Sequence, residues 1–169
     1  MRRAMTIGVM ACVVSCVVLV PWQGEAGYHH GTHAPGVRVA PDLEVLGVEV
    51  GSFEYDRARA KVVFTPASRL EMIPGKTYGW RLKLNTTRRQ IAWVETMALP
   101  STPAHWGISS HVTLSFDRTT ATTRQTTEVD EHGYISNYWI FSEGDPVGQY
   151  TVRVTIDEVD VATSSVQVY

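Results

Sequence analysis

Hydrophobic and polar residues follow three successive patterns along this chain. The first is a single apolar run from Ile7 to Val20. The second, residues 27–42, contains few long apolar side chains. From Leu43 onward, short stretches of alternating apolar and polar residues are separated by turn residues, which predicts β-strands joined by turns. No window repeats apolar residues at helical spacing, so we expect little helix.

The alternation is strictest over Tyr78–Leu84, where every second residue is apolar. In the stretch that begins at Ile91, the side chains of Ile91, Trp93 and Met97 are predicted to share one face. The predicted strands are 44–54, 60–65, 78–84, 91–99, 112–116, 119–129, 134–141, 150–156 and 159–169. Strands of this length and spacing predict an all-β fold, an antiparallel immunoglobulin-like sandwich of about 7–9 strands.

The N-terminal residues have the features of a secretory signal peptide. Arg2 and Arg3 precede the apolar run, Pro21 ends it, and Gly24 and Ala26 provide the small residues that signal peptidase requires. The run is shorter than the about 20 residues that span a bilayer, which argues against the alternative of a permanent anchor. We therefore predict a cleaved signal over residues 1–26, a secreted or periplasmic protein, and membrane contact only before cleavage.

Both cysteines, Cys12 and Cys16, lie inside this segment. The residues Val13–Cys16 resemble a bacterial lipobox, so lipid anchoring through Cys16 is an alternative. The apolar residues after Cys16 argue against it, because a lipobox is normally followed by polar sequence. After cleavage at Ala26 no cysteine remains, so the sandwich must be held together by its core rather than by a disulfide.

Residues 27–42 are predicted to form a flexible leader, because they contain little apolar surface to bury. If the chain begins at Gly27, the terminal amine, two backbone amides and the imidazole of His29 provide four nitrogens for Cu(II) or Ni(II). Tyr28 lies within this motif, and His30 and His33 add weaker ligands. The alternative is a solvated tail with no metal function, because histidine-rich composition alone is a weak indication.

The C-terminal segment "GDPVGQYTVRVTIDEVDVATSSVQVY" resembles the last two strands of bacterial immunoglobulin-like domains. "PGKTYGWRLKL" and "GYISNYWIF" are similar to a secreted bacterial family of unknown function with the same fold. The resemblance covers residues 43–169 and implies that Tyr150 is the corner tyrosine of such sandwiches. It implies no activity, and the lack of a cysteine pair distinguishes the chain from antibody-type domains.

Composition and motifs exclude several classes of function. The chain is 44% hydrophobic and 19% charged, as expected of a globular domain, and its net charge of -2 provides no basic surface for nucleic acid. Nucleophile-elbow, zinc-protease and phosphate-loop motifs are absent from the sequence. We therefore do not expect an enzyme.

Three residues outside the leader are candidates for a binding surface. His105 and Trp106 lie on the longest predicted loop, and an exposed tryptophan often anchors a partner. The alternative for Trp106 is that it closes one end of the sandwich. Tyr138 is predicted to lie on the face of its strand opposite to Trp139 and Phe141, so it belongs either to an exposed aromatic surface or to packing.

These observations favour a non-enzymatic binding or structural module of the bacterial cell envelope, whose partner is another envelope or extracellular protein. One alternative is an extracytoplasmic protein that binds Cu or Ni through Gly27, Tyr28 and His29. A second alternative is a carbohydrate-binding module. No other cofactor is expected.

Overall fold

The computed structural model describes residues 36–107 and 110–169, and all regular secondary structure in them is β-strand. The strands are β1 (Val37–Ala40), β2 (Leu43–Asp56), β3 (Lys61–Pro66), β4 (Arg69–Leu70), β5 (Thr77–Thr86), β6 (Gln90–Ala98), β7 (Val112–Leu114), β8 (Thr120–Glu128), β9 (Tyr134–Ile140), β10 (Gly148–Ile156) and β11 (Val159–Val168).

These strands form two sheets that pack face to face. The first, which we call the five-stranded sheet, has the order β1-β2-β5-β9, and β3 also pairs with β2. The second has the order β4-β11-β10-β6-β8-β7. Every strand pair is antiparallel except β4 with β11. The all-β sandwich is therefore confirmed. The described residues form eleven strands and not the predicted 7–9, because β1 and β4 are too short to show a pattern of their own in the sequence.

The first strand begins inside the segment that the sequence analysis assigns to the leader. Residues 37–40 form β1, in which Val37 lies opposite Val45 of β2. Pairing with the long neighbour β2 provides hydrogen bonds that the composition of the segment does not reveal. The predicted signal peptide, both cysteines and the remainder of the leader up to residue 35 lie outside the described residues.

The core lies between the two sheets and is built from the inward faces of their central strands. Trp80 of β5 and Trp93 of β6 meet edge to face across it, with ring centroids 5.2 Å apart. Ile91, Trp93 and Met97 are all buried, as their spacing predicts. Between Trp93 and Met97, the same alternation also turns Glu95 inward, and its side chain is fully buried.

The predicted corner tyrosine lies near the start of β10 and contacts the connection from β9. The hydroxyl of Tyr150 donates a hydrogen bond to the carbonyl of Pro146 at 2.7 Å, and its ring is buried among the core aromatics. This contact fixes the turn that precedes β10.

One predicted strand ends earlier than expected. The alternation of Val112, Leu114 and Phe116 predicts a strand over 112–116, but β7 ends at Leu114 and Phe116 is fully exposed. The cause is a tight turn, in which the amide of Arg118 donates to the carbonyl of Ser115.

Candidate functional site

Trp106 lies inside the end of the sandwich. Its side chain is only 8% exposed, its indole nitrogen donates to the carbonyl of Arg118, and its ring packs edge to face on Trp139. This burial favours the end-closing role over that of a partner anchor. His105, its neighbour, is exposed.

Tyr138, unlike Trp106, points away from the core. It lies directly opposite Gly79 of β5, on the face of the five-stranded sheet that points away from the core. Its ring packs against Phe53 with centroids 6.1 Å apart and is partly exposed. Trp139 and Phe141 point inward, so the predicted division of these aromatics between two faces is confirmed.

The outer face of the five-stranded sheet carries a continuous group of aromatic side chains. Strand register places Phe53 opposite Phe64, and Tyr55 opposite Val62. Tyr55 is 61% exposed, and Val62 and Ile140 on the same face are also exposed. We call the following five residues the aromatic strip: Phe53, Tyr55, Phe64, Tyr134 and Tyr138.

Arg81 lies in the middle of this face and is held from three sides. Its guanidinium carbon is 4.4 Å from the centroid of the Phe64 ring and 4.7 Å from that of the Tyr134 ring. Its Nε donates to Oε2 of Glu49, directly opposite on β2, at 2.7 Å. The side chain is therefore fixed in position by cation–π contacts and an ion pair.

Two glycines lie between these groups and bring the strand backbones close together. Gly51 and Gly79 are directly opposite each other. A Cβ on Gly79 would lie 2.1 Å from the carbonyl oxygen of Asn137, and one on Gly51 would lie 2.0 Å from that of Thr65. Only glycine at these positions allows β3 to approach β2, and β9 to approach β5, this closely.

Sequence reasoning found only Tyr138 among these residues. The alternation of Phe53 and Tyr55 within β2 is visible in the sequence, and it indicates a shared face. The positions of Arg81 and Phe64 beside them depend on the pairing register of β2 with β5 and β3, which the sequence does not specify.

A second unusual group lies in the core. The carboxylate of Glu95 accepts hydrogen bonds from the indole nitrogens of Trp80 and Trp139 and from the side-chain amide of Asn137. Burial raises the pKa of Glu95, and these three donors oppose that shift. No cation contacts the carboxylate in the part of the chain that the structure describes. Through these hydrogen bonds the carboxylate joins β6 of the second sheet to β5 and β9 of the five-stranded sheet.

Within 36–107 and 110–169, no three acidic, histidine or cysteine residues are placed to hold a metal ion. Nor does this part of the chain contain a helix long and apolar enough to cross a membrane. The predicted ligands Gly27, Tyr28, His29, His30 and His33 lie outside the described residues, so the Cu or Ni site stays a prediction.

Comparisons with known proteins agree with this architecture. A family model described as PM0630 beta sandwich domain matches residues 48–168. An immunoglobulin-like protein from Pseudomonas aeruginosa is 16% identical, with a TM-score of 0.50 over 82% of this chain and 100% of that one. This likeness confirms an immunoglobulin-like fold.

A further solved structure that was matched is a Pseudomonas fluorescens alkylpurine DNA glycosylase, AlkC, bound to DNA containing an abasic site analog. It is 7% identical and covers 72% of this chain and 30% of that one, and its TM-score of 0.31 is too low to indicate a shared fold. No curated protein matches the sequence.

Proposed function

The chain belongs to the PM0630 beta sandwich domain family, and we propose that it is a non-enzymatic binding module of the bacterial cell envelope. It contacts another protein through the outer face of the five-stranded sheet. The observation that carries this proposal is the partly exposed aromatic strip, in which Tyr55 is the most exposed ring and Arg81 is fixed between Phe64 and Tyr134.

The exposure of this face supports a binding role. Tyr55, Val62 and Ile140 are three of the eight exposed large hydrophobic side chains of the described residues, and all three lie on this face. Contiguous apolar surface on a folded domain usually marks an interaction site, whereas scattered exposed residues are ordinary.

The chemistry of the face suits a protein partner better than a sugar. Tyrosine and arginine are enriched among the residues that dominate protein–protein binding energy. Sugar rings need open aromatic faces for stacking, but the guanidinium of Arg81 covers Phe64 and Tyr134. Because Glu49 holds Arg81 in place, little side-chain entropy is lost when a partner binds.

The N-terminal sequence supports a location outside the cytoplasm. The positive residues, apolar run and small residues before Gly27 have the order of a secretory signal. A protein of the envelope or the extracellular space is therefore the partner that this module would meet.

The test begins with the full chain carrying the photo-crosslinker p-benzoylphenylalanine in place of Tyr55, expressed in cells that make the protein. The control carries it at Arg153, which lies on the outer face of the other sheet with a side chain 58% exposed. We expect a specific crosslink from position 55 and none of the same mass from position 153.

The crosslinked protein is then purified and its affinity measured by calorimetry. Tyr55→Ala should weaken binding at least tenfold, because a tyrosine that anchors an interface typically contributes more than about 1.4 kcal/mol. Arg153→Ala should bind within twofold of wild type. Unchanged affinity for Tyr55→Ala, or binding to purified peptidoglycan that Tyr55→Ala abolishes, would overturn the protein-binding proposal.

A further inference from the structure

Thr123 of β8 has a buried hydroxyl group that no other group of the protein satisfies. Its side chain is only 2% exposed. Among the described residues, its Oγ1 is the one buried side-chain nitrogen or oxygen without a hydrogen-bonding partner. Buried hydroxyl groups are almost always hydrogen-bonded, because the loss of their contact with bulk water is otherwise uncompensated. The environment of Thr123 therefore needs an explanation.

The two residues directly opposite Thr123 leave its hydroxyl without a direct partner. On one side lies Glu95 of β6, whose carboxylate accepts three hydrogen bonds from the five-stranded sheet and none from Thr123. On the other side lies Val112 of β7, whose side chain has no polar atom. The pairing register of β8 with its two neighbours thus accounts for the unsatisfied hydroxyl.

A small cavity adjoins Thr123 at the side of the sandwich where β8 of the second sheet faces β9 of the five-stranded sheet. Its volume is about 10 Å³, which is about the room that one water molecule needs. Three of the lining residues have polar side chains, and a buried water needs two to four polar partners. The cavity is lined by Val112, Thr123, Gln125, Asn137, Tyr138 and Trp139.

We propose that this cavity is a binding site for one ordered water molecule, which hydrogen-bonds Oγ1 of Thr123 and the side-chain amide of Asn137. The same amide donates to Oε2 of Glu95 at 2.9 Å, so the water connects Thr123 to the buried carboxylate through Asn137. Strands β8 and β9 do not pair with each other. The bound water therefore joins the two sheets where no backbone hydrogen bonds do so.

The substitution Thr123→Val tests this site, because valine has nearly the same shape and no hydroxyl. If the water is bound, the substitution removes one of its hydrogen bonds, and the equilibrium constant of unfolding should rise about fivefold. If the cavity is dry, the same substitution removes an unsatisfied hydroxyl, and the constant should fall. Thr126→Val, at an exposed position of the same strand, is the matched control for the change of residue type. Urea unfolding measures both variants.

A second measurement detects the water itself. Magnetic relaxation dispersion of solvent oxygen-17 counts the water molecules that stay bound for longer than the protein takes to tumble. Wild type and Thr126→Val should give the same amplitude, and Thr123→Val should give an amplitude that is smaller by one water molecule. Thr123→Ser retains the hydroxyl, so it should also retain the water. Circular dichroism checks that all variants fold.

The proposal is overturned if Thr123→Val is more stable than wild type after the effect of Thr126→Val is subtracted, or if its dispersion amplitude equals that of wild type. It is also overturned if Thr123→Ser gives the amplitude of Thr123→Val, because the hydroxyl is then not what holds the water. The site lies between the sheets and does not depend on the outer face of the five-stranded sheet. Failure of the crosslink from position 55 would leave it unaffected, so the two proposals fail separately.

Discussion

The indole nitrogen of Trp80 lies 2.5 Å from Oε2 of Glu95, which joins strand β5 of one sheet to strand β6 of the other. Asn137 and Trp139 of β9 bind the same carboxylate. One acidic side chain of the second sheet is therefore held by three donors of the first. A buried polar group in this position ties the two sheets together only as long as every partner is present.

Replacing Glu95 should change the pH dependence of stability. Because burial raises the pKa of Glu95 above its ordinary value of 4.5, the unfolded chain loses this proton at lower pH than the folded one. The contribution of Glu95 to the free energy of unfolding is thus fully present at low pH, and it declines as pH rises through the pKa of the folded state. In Glu95→Gln this decline should be absent.

The measurement is urea unfolding of both proteins across a series of pH values, with the exposed Glu128→Gln as control. The free energy of unfolding of wild type minus that of Glu95→Gln should fall as pH rises, and Glu128→Gln, which removes an exposed carboxylate, controls for the change in net charge. If the free energies of unfolding of wild type and Glu95→Gln change with pH in parallel, the pKa of Glu95 is the same in the folded and unfolded chains, and the prediction is wrong.

A methyl group at Gly79 should destabilise the protein, because its Cβ would lie 2.1 Å from the carbonyl oxygen of Asn137. We expect Gly79→Ala to lower the free energy of unfolding by about 1–3 kcal/mol, the usual cost of overpacking. Gly47→Ala is the matched control, because no atom lies within 4 Å of its Cβ. Chemical unfolding measures both, and equal stabilities of the two variants would contradict the close approach of β5 and β9.

The corner tyrosine makes a contact that can be removed without creating a cavity. Tyr150→Phe leaves the carbonyl of Pro146 without its 2.7 Å partner, so the free energy of unfolding should fall by about 1 kcal/mol. Tyr55→Phe, which removes an exposed hydroxyl, should have no measurable effect. Thermal unfolding followed by circular dichroism distinguishes them, and the expectation fails if the two variants melt together.

The turn between β10 and β11 should gain stability from a glycine. Asp157 and Glu158 both have positive φ values, 49° and 65°, a region that non-glycine residues avoid. Glu158→Gly should raise the free energy of unfolding by about 0.5–1 kcal/mol, because glycine adopts this conformation freely. Asp157 stays unchanged because it pairs with Arg88 at 2.6 Å.

Replacing a glycine by alanine at another position with positive φ provides the control. Gly133 has φ of 76°, so Gly133→Ala should destabilise the protein. Both variants are measured by urea unfolding. A destabilised Glu158→Gly would mean that the glutamate side chain contributes more than its backbone costs.

Regular alternation made most of the strands predictable from the sequence, and the resemblance to bacterial immunoglobulin-like domains implied the corner tyrosine. The period of two also places Glu95 on the inward face with Trp93 and Met97, although an acidic residue there is easily taken for a surface position. Its partners Trp80 and Asn137 lie on other strands, and the sequence does not state which strands meet across the core. For the same reason, the aromatic strip depends on pairing register and only Tyr138 was a candidate.

Phe116 shows a second reason why the sequence pattern does not predict the whole structure. Its alternation with Val112 and Leu114 predicts a strand, but the hydrogen bonds of Asp117 with Ser115 and Thr119 favour a turn. Local side-chain bonding of this kind competes with strand pairing and interrupts an otherwise regular pattern.

The pairing of β4 with β11 has a consequence for how the chain acquires its fold. Leu70 lies opposite Val168, and both are buried in the core. Contacts between residues so far apart form slowly, and this one cannot form until residue 168 has been synthesised. The nascent chain therefore stays without a complete core until β11 has been synthesised, and until then the buried face of Leu70 has no partner strand to cover it.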